Sequence, residues 1–366
     1  MPRSHSRSPR IGVVTGGGDA PGLNTVIRAV VMAAARQGWD TIGILGGFEG
    51  LLPPVAQRPL SVREADAVLG RGGTILGTSS RGRFTDRSPS GRQTIAHETV
   101  KEAARAARGM RLEALICIGG DGSLRIAQAL SQAGVPVIGV PKTIDNDLPG
   151  TDTTFGFQSA VAVAVDALDR LASTAESHQR VMVLEVMGRH AGWIAAHAGV
   201  AGGANVILIP EIRFDWATIG RFVQDRGEAG LTHTLVVAAE GARAIGGRYV
   251  MRAGRGGPPG ERRLGGIGAR VAAEVQQRTG REARAMTLGH LQRGGPPIAW
   301  DRQLCTRFGV AAVEAVVHGH FGTMIASRGS VIAPVPLTDG VGRIRTVPID
   351  GELVHSARAI GISFGD

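Results

Sequence analysis

Lysine is almost missing from this chain. Lys101 and Lys142 are the only two, so nearly all of its 41 basic residues are arginine. Cysteine is as scarce. Cys117 and Cys305 are too few for a disulfide framework and have no companions at metal-ligand spacing. Cys117 lies in the apolar run Leu115-Ile116-Cys117-Ile118 and reads as core. With no secretory leader pattern, this points to a reducing, cytoplasmic setting. Long apolar runs are also absent. The longest stretch without charge, 191–210, contains His197, Asn205 and several glycines, which suits a buried helix and a short strand at 206–209 better than a membrane span.

Acidic residues are outnumbered, 31 against 41, for a net charge of +10. Such an excess raises nucleic-acid binding as a function class. Its distribution argues against that class. The tail 1–10 carries Arg3, Arg7 and Arg10, and the Gly/Pro-rich segment 246–263 carries five arginines against Glu261. Both are expected to be mobile. The rest is near balance, and with one tyrosine there is no basic stripe interleaved with aromatics.

What the chain has in abundance is glycine, 55 residues without a collagen-like period. Many of them follow short β-branched runs. Residues 11–15 lead into Gly16-Gly17-Gly18-Asp19 and then a helical pattern over 23–36. Residues 114–118 lead into Gly119-Gly120-Asp121-Gly122 and a helix over 123–133. Further strands are expected at 135–140, 181–186 and 235–239, with helices over 158–175 and from Gly188 to about 200. This alternation predicts an α/β fold with mainly parallel sheets covered by helices. In such sheets ligands sit beyond the carboxyl ends of strands. Asp19, Asp121, the stretch Lys142 to Asp147, Gly188-Arg189 and Glu240 all fall there.

The glycine turns suit close backbone approach to phosphate, although neither matches the P-loop or the dinucleotide fingerprint. In Pro141-Lys142-Thr143-Ile144-Asp145-Asn146-Asp147, two carboxylates lie two residues apart. One suits a base toward a hydroxyl and the other a partner for Mg2+; the same residues also make a capped turn. Asp121 supplies a third carboxylate. Arg81, Arg180, Arg189, Arg284 and Arg293 lie in or beside glycine- and histidine-containing segments, where the guanidinium fork suits phosphate.

Six ordered motifs resemble the phosphofructokinase family: GVVTGGGDAPGLN (12–24), IGGDGS (118–123), PKTIDND (141–147), ESHQR (176–180), EVMGRHAG (185–192) and LGHLQRGG (288–295). The likeness runs from about residue 11 to about 322. NAD kinases and diacylglycerol kinases share the GGDG turn but not the other motifs. The resemblance implies two doubly wound α/β domains with the active site in the cleft between them. The larger, 11–156 plus about 297–345, would bind the phosphoryl donor. The smaller, 157–296 plus about 346–366, would bind the sugar phosphate.

It implies roles as well. Asp145 would be the general base on the 1-hydroxyl of fructose 6-phosphate, bordered by Thr143 and Asp147. Gly17, Arg81, Gly119, Gly120, Asp121, Gly122, Ser123 and Lys142 would face the donor, with Asp121 helping to bind Mg2+. Arg189 would stabilise the transferring group. Met187, Gly188, Glu240 and His290 would hold the sugar, and Arg180, Arg284 and Arg293 its 6-phosphate. In the family, the counterparts of Arg180 and Arg284 reach in from a neighbouring subunit, implying a homodimer or homotetramer. Gly122 favours ATP, because the aspartate of pyrophosphate enzymes would crowd a nucleotide α-phosphate there. Lys142 matches pyrophosphate users and some ATP users. A catalytically silent regulatory subunit is the remaining reading, and the intact Asp145, Arg189 and Asp121 oppose it. The effector pocket of allosteric bacterial members is only partly matched: Arg28 is retained, but Met32 and Ala172 replace arginines and Asn205 a glutamate.

Overall fold

Short β-branched runs ending in glycine become the strands of two separate sheets. The computed structural model describes residues 8–79, 82–87, 93–253 and 262–366. The first unit opens with β1 (Arg10–Thr15), α1 (Leu23–Arg36), β2 (Asp40–Ile44), β3 (Gln57–Leu60), α2 (Val62–Asp66), β4 (Thr85–Arg87), β5 (Gln93–Ile95), α3 (His97–Gly109), β6 (Ala114–Gly119), α4 (Asp121–Gln132) and β7 (Val137–Pro141). Then α5 (Phe157–His178) carries the chain into the second unit. There follow β8 (Val181–Val186), α6 (Trp193–Ala201), β9 (Val206–Leu208), α7 (Trp216–Glu228), β10 (Thr234–Ala239), β11 (Met251–Ala253), β12 (Arg262–Leu264), α8 (Ile267–Thr279) and β13 (Ala283–Thr287). The chain returns to the first unit for α9 (Ala299–Val317), β14 (Thr323–Arg328) and β15 (Val331–Pro336), and ends in the second with α10 (Glu352–Ala359).

The first sheet has the order β15-β14-β7-β6-β1-β2-β3. Its inner pairings are parallel, and β3 and β15 run antiparallel at the edges. Apolar clusters cover both faces, which is why β6 and β7 are buried throughout. On one face α1 turns Leu23, Val26, Ile27 and Val30 toward the core and packs on α9. Each such side chain, fully buried, contributes about 1.5–3 kcal/mol. Gly309 permits the close approach, since a Cβ there would lie 2.5 Å from that of Ala29. Cys117 and Cys305 are both buried in this unit, and burial raises both thiol pKa values, as a core reading of Cys117 requires.

The second sheet, β13-β8-β10-β9, is parallel throughout, with β8 and β10 fully buried. β13 is an edge strand and exposes Met286.

Three expectations are adjusted. Arg10 already pairs with Asp40 in β1, so the tail is shorter than 1–10; residues 1–7 lie outside the described residues. Within 246–263, β11 pairs antiparallel with β12, Met251 opposite Leu264, because residues 248–253 and 261–263 carry neither glycine nor proline. Residues 254–261 are outside the described residues. The chain also crosses between units twice more than the sequence marks. The first unit runs through Thr143 and includes Leu148–Gln158 and Arg293–Arg343, whereas Ile144–Asp147 group with Ser159–Gln292 and Ile344–Asp366.

Candidate functional site

The first unit gathers the two glycine turns. Gly16 N donates to Ile118 O (2.9 Å) and Gly17 N to Ser79 O (3.0 Å), so the turn after β1 leans on the end of β6. Gly17 has φ 80°, a left-handed conformation that disfavours other residues. Ser123 fills the space beside both turns: a Cβ on Gly16 would lie 2.6 Å from its Oγ, and one on Gly119 2.7 Å from it. Lys142 is buried and ties the turns together. Its Nζ donates to Gly18 O, and its backbone N donates to Gly119 O at 2.9 Å. One of the chain's two lysines thus places its compact ammonium beside both turns. The Thr143 carbonyl accepts from Thr154 Oγ1 at 2.7 Å.

Asp121 opens α4, and its Oδ1 accepts from Gly342 N at 2.8 Å. Gly120 precedes it as the helix cap. Gly122 is exposed, and among the described residues no atom outside its own helical turn lies within 4 Å of where its Cβ would be. Arg293, expected at the sugar phosphate, belongs to this unit and donates from Nη1 to Asp19 O at 3.0 Å. Arg81 lies outside the described residues.

The second unit gathers another set beyond the carboxyl ends of β8, β10 and β13. Met187, Gly188 and Arg189 follow β8. Gly241 N donates to Gly188 O at 3.0 Å, and Glu240 N to Val186 O at 2.9 Å. The approach needs glycine at 241, where a Cβ would lie 2.1 Å from Arg189 O. Gln292, fully buried, joins this loop to the His290 turn: its Oε1 accepts from Met187 N (3.3 Å) and its Nε2 donates to Gly289 O (3.0 Å). Arg189 and His290 are exposed. The His190 pKa is lowered, first by burial and then by the Arg189 charge. Asp145 and Asp147 are half-buried in the same unit.

Arg180 and Arg284 are not brought to this end. Arg180 precedes β8, and Arg284 pairs in register with Met182 near the start of that strand. Six residues of strand rise about 20 Å. Both guanidinium groups bind Glu282, Arg180 Nε at 2.6 Å. One carboxylate between two arginines leaves a net positive charge on that edge.

Sequence reasoning passed over Gln292, Glu211, Trp193 and Arg345. Gln292 stands inside a quoted motif, so a buried amide between two site segments was there to be found. Arg345 follows no motif and carried no signal. Among the described residues, no group of three or more His, Cys, Asp or Glu side chains is placed to hold a metal. Mg2+ accompanying a phosphoryl donor needs only one or two carboxylates besides phosphate oxygens, and Asp121 offers the right chemistry. No helix among them is long and apolar enough to cross a membrane.

The sequence profile of the family described as phosphofructokinase matches residues 10–316. The chain belongs to the phosphofructokinase family. The ATP-dependent 6-phosphofructokinase of Chloroflexus aurantiacus is 52% identical over 361 residues, covering 99% of each chain. The pyrophosphate–fructose 6-phosphate 1-phosphotransferase of Amycolatopsis methanolica is 49% identical over 340 residues, 93% of this chain and 96% of that protein. Among solved structures, the phosphofructokinase of Saccharomyces cerevisiae superposes with a TM-score of 0.75 at 30% identity, over 90% of this chain and 45% of that one. Family members thus include both donor types at similar distance.

Proposed function

We propose that this phosphofructokinase transfers the γ-phosphoryl group of ATP to the 1-hydroxyl of fructose 6-phosphate, giving fructose 1,6-bisphosphate and ADP. The observation that carries the donor assignment is the open space at Gly122, which leaves room for a nucleotide α-phosphate. The 52% identity to an ATP-dependent relative agrees with it.

In this reading the first unit binds the donor. The backbone of Gly17 and Gly119–Ser123 lies against its phosphates, and Lys142 adds fixed positive charge close to Gly17. Arg81 would face the same donor. Asp121 would hold Mg2+, which neutralises charge on the donor phosphates. The second unit binds the sugar through Met187, Gly188, Glu240 and His290. Asp145 takes the proton of the 1-hydroxyl as its oxygen attacks the γ-phosphorus and the bond to ADP breaks. Thr143 and Asp147 border the reacting group, and Arg189 stabilises charge on the transferring phosphoryl. Arg293 contributes to 6-phosphate binding, and Arg180 and Arg284 do so from a neighbouring copy. Their place at the far end of β8 supports supply in trans, and the edge strand β13 with exposed Met286 offers a surface for a second chain.

The second reading, pyrophosphate as donor, is favoured by Lys142 and by the Amycolatopsis relative. Initial rates with fructose 6-phosphate and either ATP or pyrophosphate, each with Mg2+, separate the two. The expected result is high efficiency with ATP and little with pyrophosphate; equal or greater efficiency with pyrophosphate rejects the assignment. Replacing the base, Asp145→Asn, should lower kcat about 10²–10⁴-fold with a modest change in sugar KM.

A further inference from the structure

The segment following Ile344 braces both catalytic loops of the second unit. Arg345 N donates to Asp147 O at 2.8 Å, and Arg345 Nε to Asn146 O at 3.3 Å. One residue thus holds the two carbonyls directly after Asp145. Asn146 has φ 51°, a left-handed conformation that for a residue with a side chain persists when its surroundings dictate it.

Arg345 is itself held by the other loop. Trp193 Nε1 donates to Arg345 O at 2.9 Å, and the Arg345 guanidinium lies over the Trp193 ring, 4.4 Å from its centroid. Trp193 stands four residues after Arg189 and opens α6. Gly192, just before it, donates from N to both carboxylate oxygens of Glu211 at 3.0 and 3.1 Å. Glu211 Oε1 also accepts from Val347 N at 2.8 Å, two residues beyond Arg345. The chain of contacts is closed: base loop, Arg345, Trp193, Gly192, Glu211, Val347 and back to Arg345. All of it lies within the second unit.

We propose that Arg345 is a positioning residue for phosphoryl transfer: with Trp193 and Glu211 it fixes the Asp145 loop relative to the Arg189 loop. Arg345 needs no contact with substrate to do this. Its backbone N–H to Asp147 O survives substitution, but loss of the guanidinium removes the contact to Asn146 O and the packing on Trp193, so the base loop shifts while the sugar-holding residues on β8, β10 and β13 stay in place. This rests on the proposed role of Asp145.

The planar guanidinium matters twice, as a donor fixed at Nε and as a flat group on the indole; an ammonium supplies neither. A misplacement of about 1 Å costs on the order of 100-fold in rate, so Arg345→Met should lower kcat about 10- to 100-fold while sugar KM moves less than about threefold. Arg345→Lys should recover little. Trp193→Phe keeps an aromatic face but removes the Nε1 donor, and should lower kcat in the same direction by less. The decisive measurement is a double-mutant cycle with Asp145→Asn in the full-length protein. If Arg345 works through the base, Arg345→Met should add little to the loss that Asp145→Asn already causes. Three results would overturn the proposal: wild-type kcat in Arg345→Met, a loss confined to thermal stability, or a loss fully additive with Asp145→Asn. Near wild-type turnover in Asp145→Asn alone would instead refute the base assignment and leave the effect of Arg345→Met on kcat as a separate observation.

Discussion

At the scale of single residues, the proposed donor choice turns on an absent side chain. Gly122 sits in the first turn of α4 with no atom of the described residues beyond that turn near its Cβ position, so among them Gly122→Asp meets no steric obstacle. An acidic residue in a first helical turn is also favourable to the helix dipole. The substitution should therefore fold normally and leave sugar affinity nearly unchanged, while ATP efficiency falls at least about 10-fold, the equivalent of roughly 1.4 kcal/mol. Thermal melts and steady-state kinetics with both donors check this; unchanged ATP efficiency would mean that the nucleotide lies elsewhere. Lys142 illustrates the opposite case. The sequence singled it out by rarity, and the structure shows an ammonium joined to Gly18 O and buried beside the turns, a position from which it serves the loops' shape as well as their charge.

At the scale of elements, α6 carries a titrating group that senses its neighbours. The His197 pKa is lowered, first by burial and then by the charge of Arg345. An unfolded histidine titrates near about 6.5. Because the folded value lies below the unfolded one, the stabilisation is present above that pH and lost as pH falls through the folded value. His190 shifts in the same direction, being less buried. The thermal midpoint should therefore drop between pH 7.5 and 5, and His197→Gln should flatten part of that slope. Identical slopes in the variant and the parent would show that the protein accommodates the charged imidazole without cost. The ends of β8 tell a second story. Its carboxyl end carries Met187 to Arg189, whereas its amino end carries Arg180 beside Glu282 and Arg284.

At the scale of the whole molecule, that separation within one chain makes assembly a testable requirement of the proposed reaction. Mixing inactive Arg180→Ala with inactive Asp145→Ser subunits should restore measurable activity, because a hybrid pair can contain one site with both groups intact. No recovery after subunit exchange, shown by sedimentation to have occurred, would place Arg180 in the chain's own site or outside any site. Effector control should be weak. Arg28 is engaged with Asp66 at 2.9 Å, the Asn205 side chain accepts from Leu235 N at 2.9 Å, and Ala172 packs beside an apolar cluster. A diphosphate needs charge-assisted contacts to bind tightly, and an effector shifts an equilibrium only through differential affinity. Titrating ADP or phosphoenolpyruvate at sub-saturating fructose 6-phosphate should change the rate little; a several-fold shift in apparent sugar affinity would contradict this.

How much was legible beforehand follows from range. The strands, the glycine turns and the helices after them were readable in the sequence because each is decided by residues within a few positions: β-branched runs, a glycine that can take φ 80° at position 17, an apolar stripe on α1. The six motifs were readable because they are local too. By itself the sequence therefore determined the α/β class and the family. Only the tertiary structure decided that Asp145 groups with the second unit while Lys142 and Thr143 stay with the first. It alone seated Lys142 between two turns more than a hundred residues apart in the chain, and it alone joined Arg345, Trp193 and Glu211 by hydrogen bonds to the main chain around Asn146 and Val347. Those are contacts between backbone carbonyls, amides and side chains distant in sequence. A main-chain carbonyl or amide offers the same group whatever residue carries it, and so no pattern in the chain marks in advance which distant side chain it will meet.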